Sequence, residues 1–356
     1  MPSGATNAKQ GHPFGRGGGV SSTVLTNCPG IRSLICAGWR TLRDGARPTT
    51  RVAVGKGKRL QALTVERPAS IQDAVQLLND GGDTAKVLAG GTDVIVIARS
   101  RRRTIDLLVD VKQIPELTAI EWDPGSGLTI GAATPCYQLY GDADINANYP
   151  SIIDSASLIG GTGIQGRASF GGNLCNSSPS GDTIPTQIVL EGVANIVGPG
   201  GERQVAVEDF CTGPGRNVLE QGEFLVSLFF PAPEAGSGAR FLRFIPRNEM
   251  DIAVCNAASA VKMDGDTVRW ARVSLGAVAP IPLLVQGAAD ALVGNPLNDD
   301  TIAAAAEASR EAASPIDDMR GSIRQRKHLS AVLTKRTLEQ AGARARGEHV
   351  PSVGGH

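Results

Sequence analysis

The sequence predicts an α+β protein with more than one packed domain, and three observations carry that prediction. Apolar runs of strand length are interleaved with segments of helical period. A Pro/Gly/Ala-rich stretch over residues 231–238 reads as a domain boundary. At 356 residues the chain is long enough for two or three separate cores.

Ordered structure is expected to begin over residues 62–68. Ser70 then has the chemistry of a helix cap, with Ile71, Ala74, Val75, Leu77 and Leu78 on one apolar face and Gly81-Gly82 as the stop. Residues 86–89 read as a strand leading into the glycine pair Gly90-Gly91, and residues 94–97 and 106–111 are further apolar runs. Residues 128–134 read as a strand, whereas Ile152, Ile153, Ala156 and Ile159 have helical spacing. A second glycine pair, Gly171-Gly172, is expected in a loop, followed by strand-like runs at 187–190, 194–197 and 224–230. Beyond the linker, residues 253–263 and 267–278 read as strands, and two helices close the fold at about 299–313 and 320–342. Residues 343–356 are expected to be a polar tail.

Composition narrows the function. No run of eighteen apolar residues exists, so no membrane-spanning helix is expected. Basic and acidic residues balance at 35 each, which argues against a nucleic-acid binder. The balance hides an asymmetry: residues 1–58 carry nine Lys or Arg against Asp44 alone, leaving 26 basic and 34 acidic residues in the body. That basic, acid-poor stretch is expected to be a disordered or mis-assigned N-terminal extension. The six cysteines include no C-x-x-C pair, so neither a zinc site nor an iron–sulfur cluster is expected. His328 is the one histidine away from the chain ends, which leaves little material for a histidine-driven hydrolase. If this protein performs chemistry, a cofactor is expected to perform it.

The stretch from Phe170 to Pro185 is the strongest pointer to that cofactor. Two adjacent glycines allow close backbone approach, and Asn173, Asn176, Ser177, Ser178, Ser180, Asp182 and Thr183 crowd polar groups into eleven positions. Ala89-Gly90-Gly91-Thr92-Asp93 ends an apolar run some eighty residues earlier. Successive amides in such segments form concave nests for phosphate oxygens, so the pair suggests a nucleotide cofactor gripped by two loops. Gly161, Gly163 and Gly166 fit G-x-G-x-x-G, but the segment before them is helical in period. A dinucleotide-binding βαβ unit needs a strand there.

These motifs together resemble the flavin-binding subunits of the molybdenum hydroxylases, as in the medium subunit of aerobic carbon monoxide dehydrogenase and the corresponding domain of xanthine dehydrogenase. The resemblance rests on residues 88–94, on 169–174 with 178–182, on Leu275 to Pro280, and on 326–329 with 332–338, in the right order over about residues 60–342. It implies two subdomains clasping FAD, of the vanillyl-alcohol-oxidase type, over 59–232, and a smaller C-terminal α+β domain over 238–342. Val87, Leu88, Ala89, Gly90, Gly91, Thr92 and Asp93 would face the FAD diphosphate. Ser169, Gly171, Gly172 and Asn173 would form a second phosphate loop, with Asn176 alongside, and Asp182 would accept hydrogen bonds from cofactor hydroxyls. Ile159 would stand by the flavin ring, and Asp251 with Ile252 would form a loop over it. Many relatives have Gln-Ile-Arg-Asn where this chain has Gly163-Ile-Gln-Gly166, and the cysteine-bearing insertion of some relatives is missing.

The implied role is electron transfer. A small 2Fe-2S subunit and a large molybdopterin-containing subunit would complete a cytoplasmic heterotrimer, with its dimerisation left open. Electrons would pass from the clusters through FAD to NAD, a quinone or oxygen. No side chain is expected to be catalytic and no metal is expected on this chain. The alternatives are a self-contained FAD-dependent oxidase or dehydrogenase of the same fold, and a scaffold that has lost FAD. Cys175 reads as a packing residue, Arg101 to Arg103 as a solvated basic turn, His328 as packing against or capping the last helix, and Trp122 and Trp270 as core edges.

Overall fold

The computed structural model describes residues 63–100, 103–248 and 250–352. The expected extension over 1–58, with Cys28 and Cys36, lies outside the described residues, as do Arg101 and Arg102.

The first described strand, Thr64–Glu66, pairs in parallel with Leu107–Asp110, which pairs in parallel with Ala85–Leu88. The helix Ile71–Gly81 lies between the first strand and Ala85–Leu88 in sequence. It starts where the Ser70 hydroxyl accepts the Asp73 amide at 3.1 Å, and it buries Ala74 and Leu78. The apolar run at 94–97 folds into the helix Val94–Ser100.

A five-stranded antiparallel sheet follows, in the order Ile120–Asp123, Gly127–Gly131, Phe224–Pro231, Val193–Gly198, Gly201–Ala206. Leu128, Ile130, Phe224, Leu228 and Phe230 place its inner face in one continuous apolar core with residues of the first sheet. Trp122 meets Tyr149 edge-to-face at 5.5 Å on the rim of that core.

The C-terminal sheet is antiparallel, with Ser237–Phe244, Cys255–Asp264, Thr267–Gly276 and Leu283–Leu284 in sequence order. The helices Gln286–Leu292, Asp299–Ala312 and Ile323–Ala345 pack with it around a second apolar core. Asn298 and Thr301 form a reciprocal capping box at the start of the second of these helices. The sheet is pinned to the helix Pro150–Ala156 by the fully buried Asp154, which receives Arg240 at 2.9 Å and Arg344 at 2.7 Å. Removing one partner of such a cluster strands a buried charge.

Several sequence expectations change in the structure. Residues 187–190 belong to the helix Ile184–Val189 and its C-terminal cap rather than to a strand. All six residues of that helix are buried, so it shows no amphipathic period, and a short apolar run without a period cannot be told from a strand. The Gly171-Gly172 pair is not in a loop but inside the helix Phe170–Asn176. The last helix runs on to Ala345, and the expected tail is tied down as far as Pro351. There the Val350 and Pro351 carbonyls accept hydrogen bonds from Arg344 and Arg240. His328 is exposed on the last helix rather than packed. The G-x-G-x-x-G segment follows the helix Pro150–Ala156 and itself holds the short helix Thr162–Gln165.

Candidate cofactor site

The structure brings the first glycine segment against the backbone of Arg167 and Ala168, immediately before the second. A methyl group at Gly90 would lie 1.8 Å from the Arg167 carbonyl oxygen, so only a residue without Cβ permits that approach. The Arg167 Nε also donates to the Gly90 carbonyl at 3.4 Å. On the other side, Lys112 donates to the Ala89 carbonyl at 2.9 Å while its charge meets Asp110 at 2.5 Å. Gly91 turns the chain with φ of 81°, in the region that favours glycine. Among the described residues, the amides of Gly90, Gly91, Thr92 and Asp93 find no protein acceptor. Amides left open in a glycine turn can take an anionic group supplied from outside the chain.

The side chains of Val87 and Leu88 belong to apolar clusters, which leaves only their backbone to face a ligand. Asp93 is exposed as a residue, yet atoms crowded around its carboxyl desolvate it enough to raise its pKa.

The second segment starts at Ser169, whose hydroxyl donates to the Ala132 carbonyl at 2.7 Å and accepts the Gly172 amide at 3.0 Å. That cap sets the helix Phe170–Asn176: the Asn173 amide donates to the Ser169 carbonyl at 2.9 Å, and the Gly171 amide has no acceptor within the helix. Gly171 rests on Ala132: a Cβ added at Gly171 would lie only 2.6 Å from the Cα, Cβ and carbonyl oxygen of Ala132. Gly172 is exposed on the outer side. Asn173 Oδ1 accepts both the amide and the hydroxyl of Thr183, at 3.3 and 2.8 Å, which folds the polar turn 177–182 back over the helix. Asn176 is half-buried beside it, and burial pushes the Cys175 thiol up to about 12, so it stays protonated near neutral pH.

The sequence motifs from the C-terminal part join the same assembly. The Ala277 amide donates to the Pro179 carbonyl at 2.6 Å, and Arg326 donates to the carbonyls of Ala277 and Val254 at 2.8 Å each. Asp182 is engaged by protein groups: Arg243 donates to it at 2.5 Å and Asn256 at 3.3 Å. Burial raises the Asp182 carboxyl pKa, and the Arg243 charge and the two hydrogen bonds oppose that rise. Arg243 and Asn256 were invisible to sequence reading of the site. The one available signal was a polar side chain interrupting an otherwise apolar strand.

Ile159 is half-buried against the main core. Asp251 accepts the Ile252 amide at 2.8 Å and pairs with Arg247 at 3.3 Å and Arg320 at 3.7 Å. Ile252 itself is 49% exposed, free to cover a neighbouring group. A cleft of about 710 Å³ lies elsewhere, lined by residues such as Tyr149, Trp270 and Arg344, and none of the candidate site residues lines it.

Comparison with known proteins finds relatives over most of the chain. The family model described as the FAD binding domain in molybdopterin dehydrogenase matches residues 60–233, and that of the CO dehydrogenase flavoprotein C-terminal domain matches 240–341. The chain is 33% identical over 283 residues to the xanthine dehydrogenase FAD-binding subunit of Escherichia coli O157:H7, covering 79% of this chain and 97% of that one. It is also 33% identical to the carbon monoxide dehydrogenase medium chain of Afipia carboxidovorans, over 79% of this chain and 96% of that one. Among solved structures it is similar to a chain of reconstituted CO dehydrogenase from Oligotropha carboxidovorans. There the TM-score is 0.77 and the identity 32%, covering 80% of this chain and 99% of the other.

Proposed function

The chain belongs to the family of FAD-binding subunits of the molybdenum hydroxylases, and from that premise we propose that it is the electron-transfer flavoprotein of a multi-subunit enzyme. Its fold is then of the vanillyl-alcohol-oxidase type, with FAD held over residues 59–232 and the C-terminal domain over 238–342. Bound FAD supplies the redox chemistry, exchanging electrons singly or in pairs. The electrons come from iron–sulfur clusters on a small partner subunit, fed by a large molybdopterin subunit, and leave to NAD, a quinone or oxygen. The assembly is a cytoplasmic heterotrimer. No helix among the described residues is long and apolar enough to cross a membrane.

The observation that carries the reading is the close approach of Gly90 to the Arg167–Ala168 backbone, which leads into the second glycine segment, beside amides that find no acceptor among the described residues. In this reading the amides of 88–93 hold the cofactor diphosphate together with Ser169, Gly171, Gly172 and Asn173, and Asn176 stands alongside. Asp182 accepts from cofactor hydroxyls with the carboxylate capacity that Arg243 and Asn256 leave over. Ile159 lies by the ring, and Ile252, on the loop that Asp251 anchors, shields it from water.

The partner reading has support at the same edge. Phe244, Met250, Ile316, Met319 and Ile323 are exposed on two segments joined by the Arg320–Asp251 ion pair. Exposed apolar side chains on neighbouring segments would suit a protein partner.

The test is the visible absorption spectrum of the purified protein, with the released cofactor identified by mass. An oxidised-flavin spectrum and FAD are expected. A colourless protein that takes up no FAD on reconstitution would overturn the reading.

A further inference from the structure

Three residues in register across the C-terminal sheet form a floor beneath Asp182. Arg243 stands directly opposite Asn256, and Asn256 directly opposite Gly276. Residues paired this way project from one face of the sheet. Gly276 leaves room for its neighbour, since a Cβ there would lie 2.2 Å from Asn256 Oδ1. The Asn256 side chain, fully buried, and that of Arg243, 5% exposed, both reach the carboxylate of Asp182. Next to Gly276, the Ala277 amide takes the carbonyl of Pro179 in the same turn. Two polar atoms of this floor are unspent: Arg243 Nε and Asn256 Oδ1 are buried without a partner among the described residues. Buried polar groups of this kind call for an explanation, and a buried charge pair is a weak device for stability alone.

We propose that Arg243 is a positioning residue that acts through Asp182 to join the C-terminal sheet to the cofactor site, so that docking of this sheet and binding of FAD strengthen one another. The inference rests on the FAD reading above. Arg243 takes Oδ2 of Asp182 and Asn256 takes Oδ1, so the sheet holds both carboxylate oxygens and only their remaining acceptor capacity is left for a ligand. Linkage makes the effect reciprocal: whatever FAD gains from the ordered Asp182, the docking of the sheet gains from FAD.

The experiment titrates the flavin-stripped full chain with FAD and follows its thermal midpoint with and without FAD. The wild type, Arg243→Met, Arg243→Lys, Asp182→Asn and the Arg243→Met/Asp182→Asn double variant are compared. Arg243→Met is expected to weaken FAD at least tenfold and to shrink the FAD-induced rise in midpoint. Arg243→Lys is expected to recover part of both. The double variant is expected to lose little beyond either single change, because the two act as one unit. A merely structural Arg243 would lower the midpoint of the stripped protein and leave the FAD affinity of the folded fraction unchanged, which overturns the proposal. If Arg243→Met does not fold, Asp182→Asn carries the test with nearly the same shape, and wild-type affinity in that variant overturns the proposal. A wild type that binds no flavin overturns the FAD reading and this inference together. FAD bound equally by wild type and variants overturns the inference alone.

Discussion

The two glycine pairs of this chain share a dipeptide and answer to different physical demands. Gly90-Gly91 lies in a turn between a strand and a helix, where Gly91 adopts φ of 81° and Gly90 meets the Arg167 backbone. Gly171-Gly172 lies inside a helix, where Gly171 is needed for contact with Ala132 and Gly172 faces outward. A glycine pair in a sequence therefore announces that something must come close. It does not say whether the backbone around it is a loop or a helix.

The largest effects are expected where the added atom meets backbone. Gly90→Ala would place its methyl 1.8 Å from the Arg167 carbonyl oxygen, and Gly171→Ala would place one 2.6 Å from Ala132 Cα and carbonyl oxygen. Neither obstacle is a side chain that can rotate away. Each change is expected to cost about 3 kcal/mol, at the upper end of overpacking, with Gly90→Ala the worse of the two. Thermal midpoint and flavin per polypeptide should fall together. A Gly90→Ala protein with wild-type values in both would show that the contact between the segments is dispensable.

Gly91→Ala comes next, and its penalty is of another kind. The obstacles at Gly91 are the ends of flexible side chains, Ile95 Cδ1 at 2.7 Å and Leu88 Cδ1 at 3.0 Å. The main loss is conformational, about 1–2 kcal/mol for a left-handed residue with Cβ. Asn tolerates that region better than Ala, so Gly91→Asn is expected to melt above Gly91→Ala in the same assay. The reverse order would mean that space, rather than φ, decides this position.

The same contrast explains what the sequence could convey. The helix Ile71–Gly81 was legible because its cap, apolar face and stop are local. The helices Ile184–Val189 and Phe170–Asn176 were not. The first is buried on every side, and the second is held by Ser169 and Ala132 against a composition that reads as loop. In the candidate site, the close approaches at Gly90 and Gly171 were legible because glycine pairs are written in consecutive residues. Arg243 and Asn256 reach Asp182 from 61 and 74 positions away, and only the folded sheet sets them side by side. Lys112, which orients the Ala89 carbonyl, was missed for the same reason at a separation of 23.

Gly172→Ala is expected to have the smallest effect on stability and separates the two roles of the second pair most sharply. The position is helical and exposed, so replacing glycine gains up to about 1 kcal/mol of helix propensity. Against that, the new methyl would lie 2.9 Å from the Ser169 hydroxyl, which must shift within a cap worth about 1 kcal/mol. The two terms offset, and the midpoint of the flavin-stripped protein should stay near that of the wild type. FAD affinity should still fall, because the methyl projects from the first turn of the helix, where the proposed phosphate contact lies. If a calorimetric titration shows wild-type affinity as well, the helix at 170–176 serves only to pack against Ala132. The diphosphate would then be held by residues 88–93 alone.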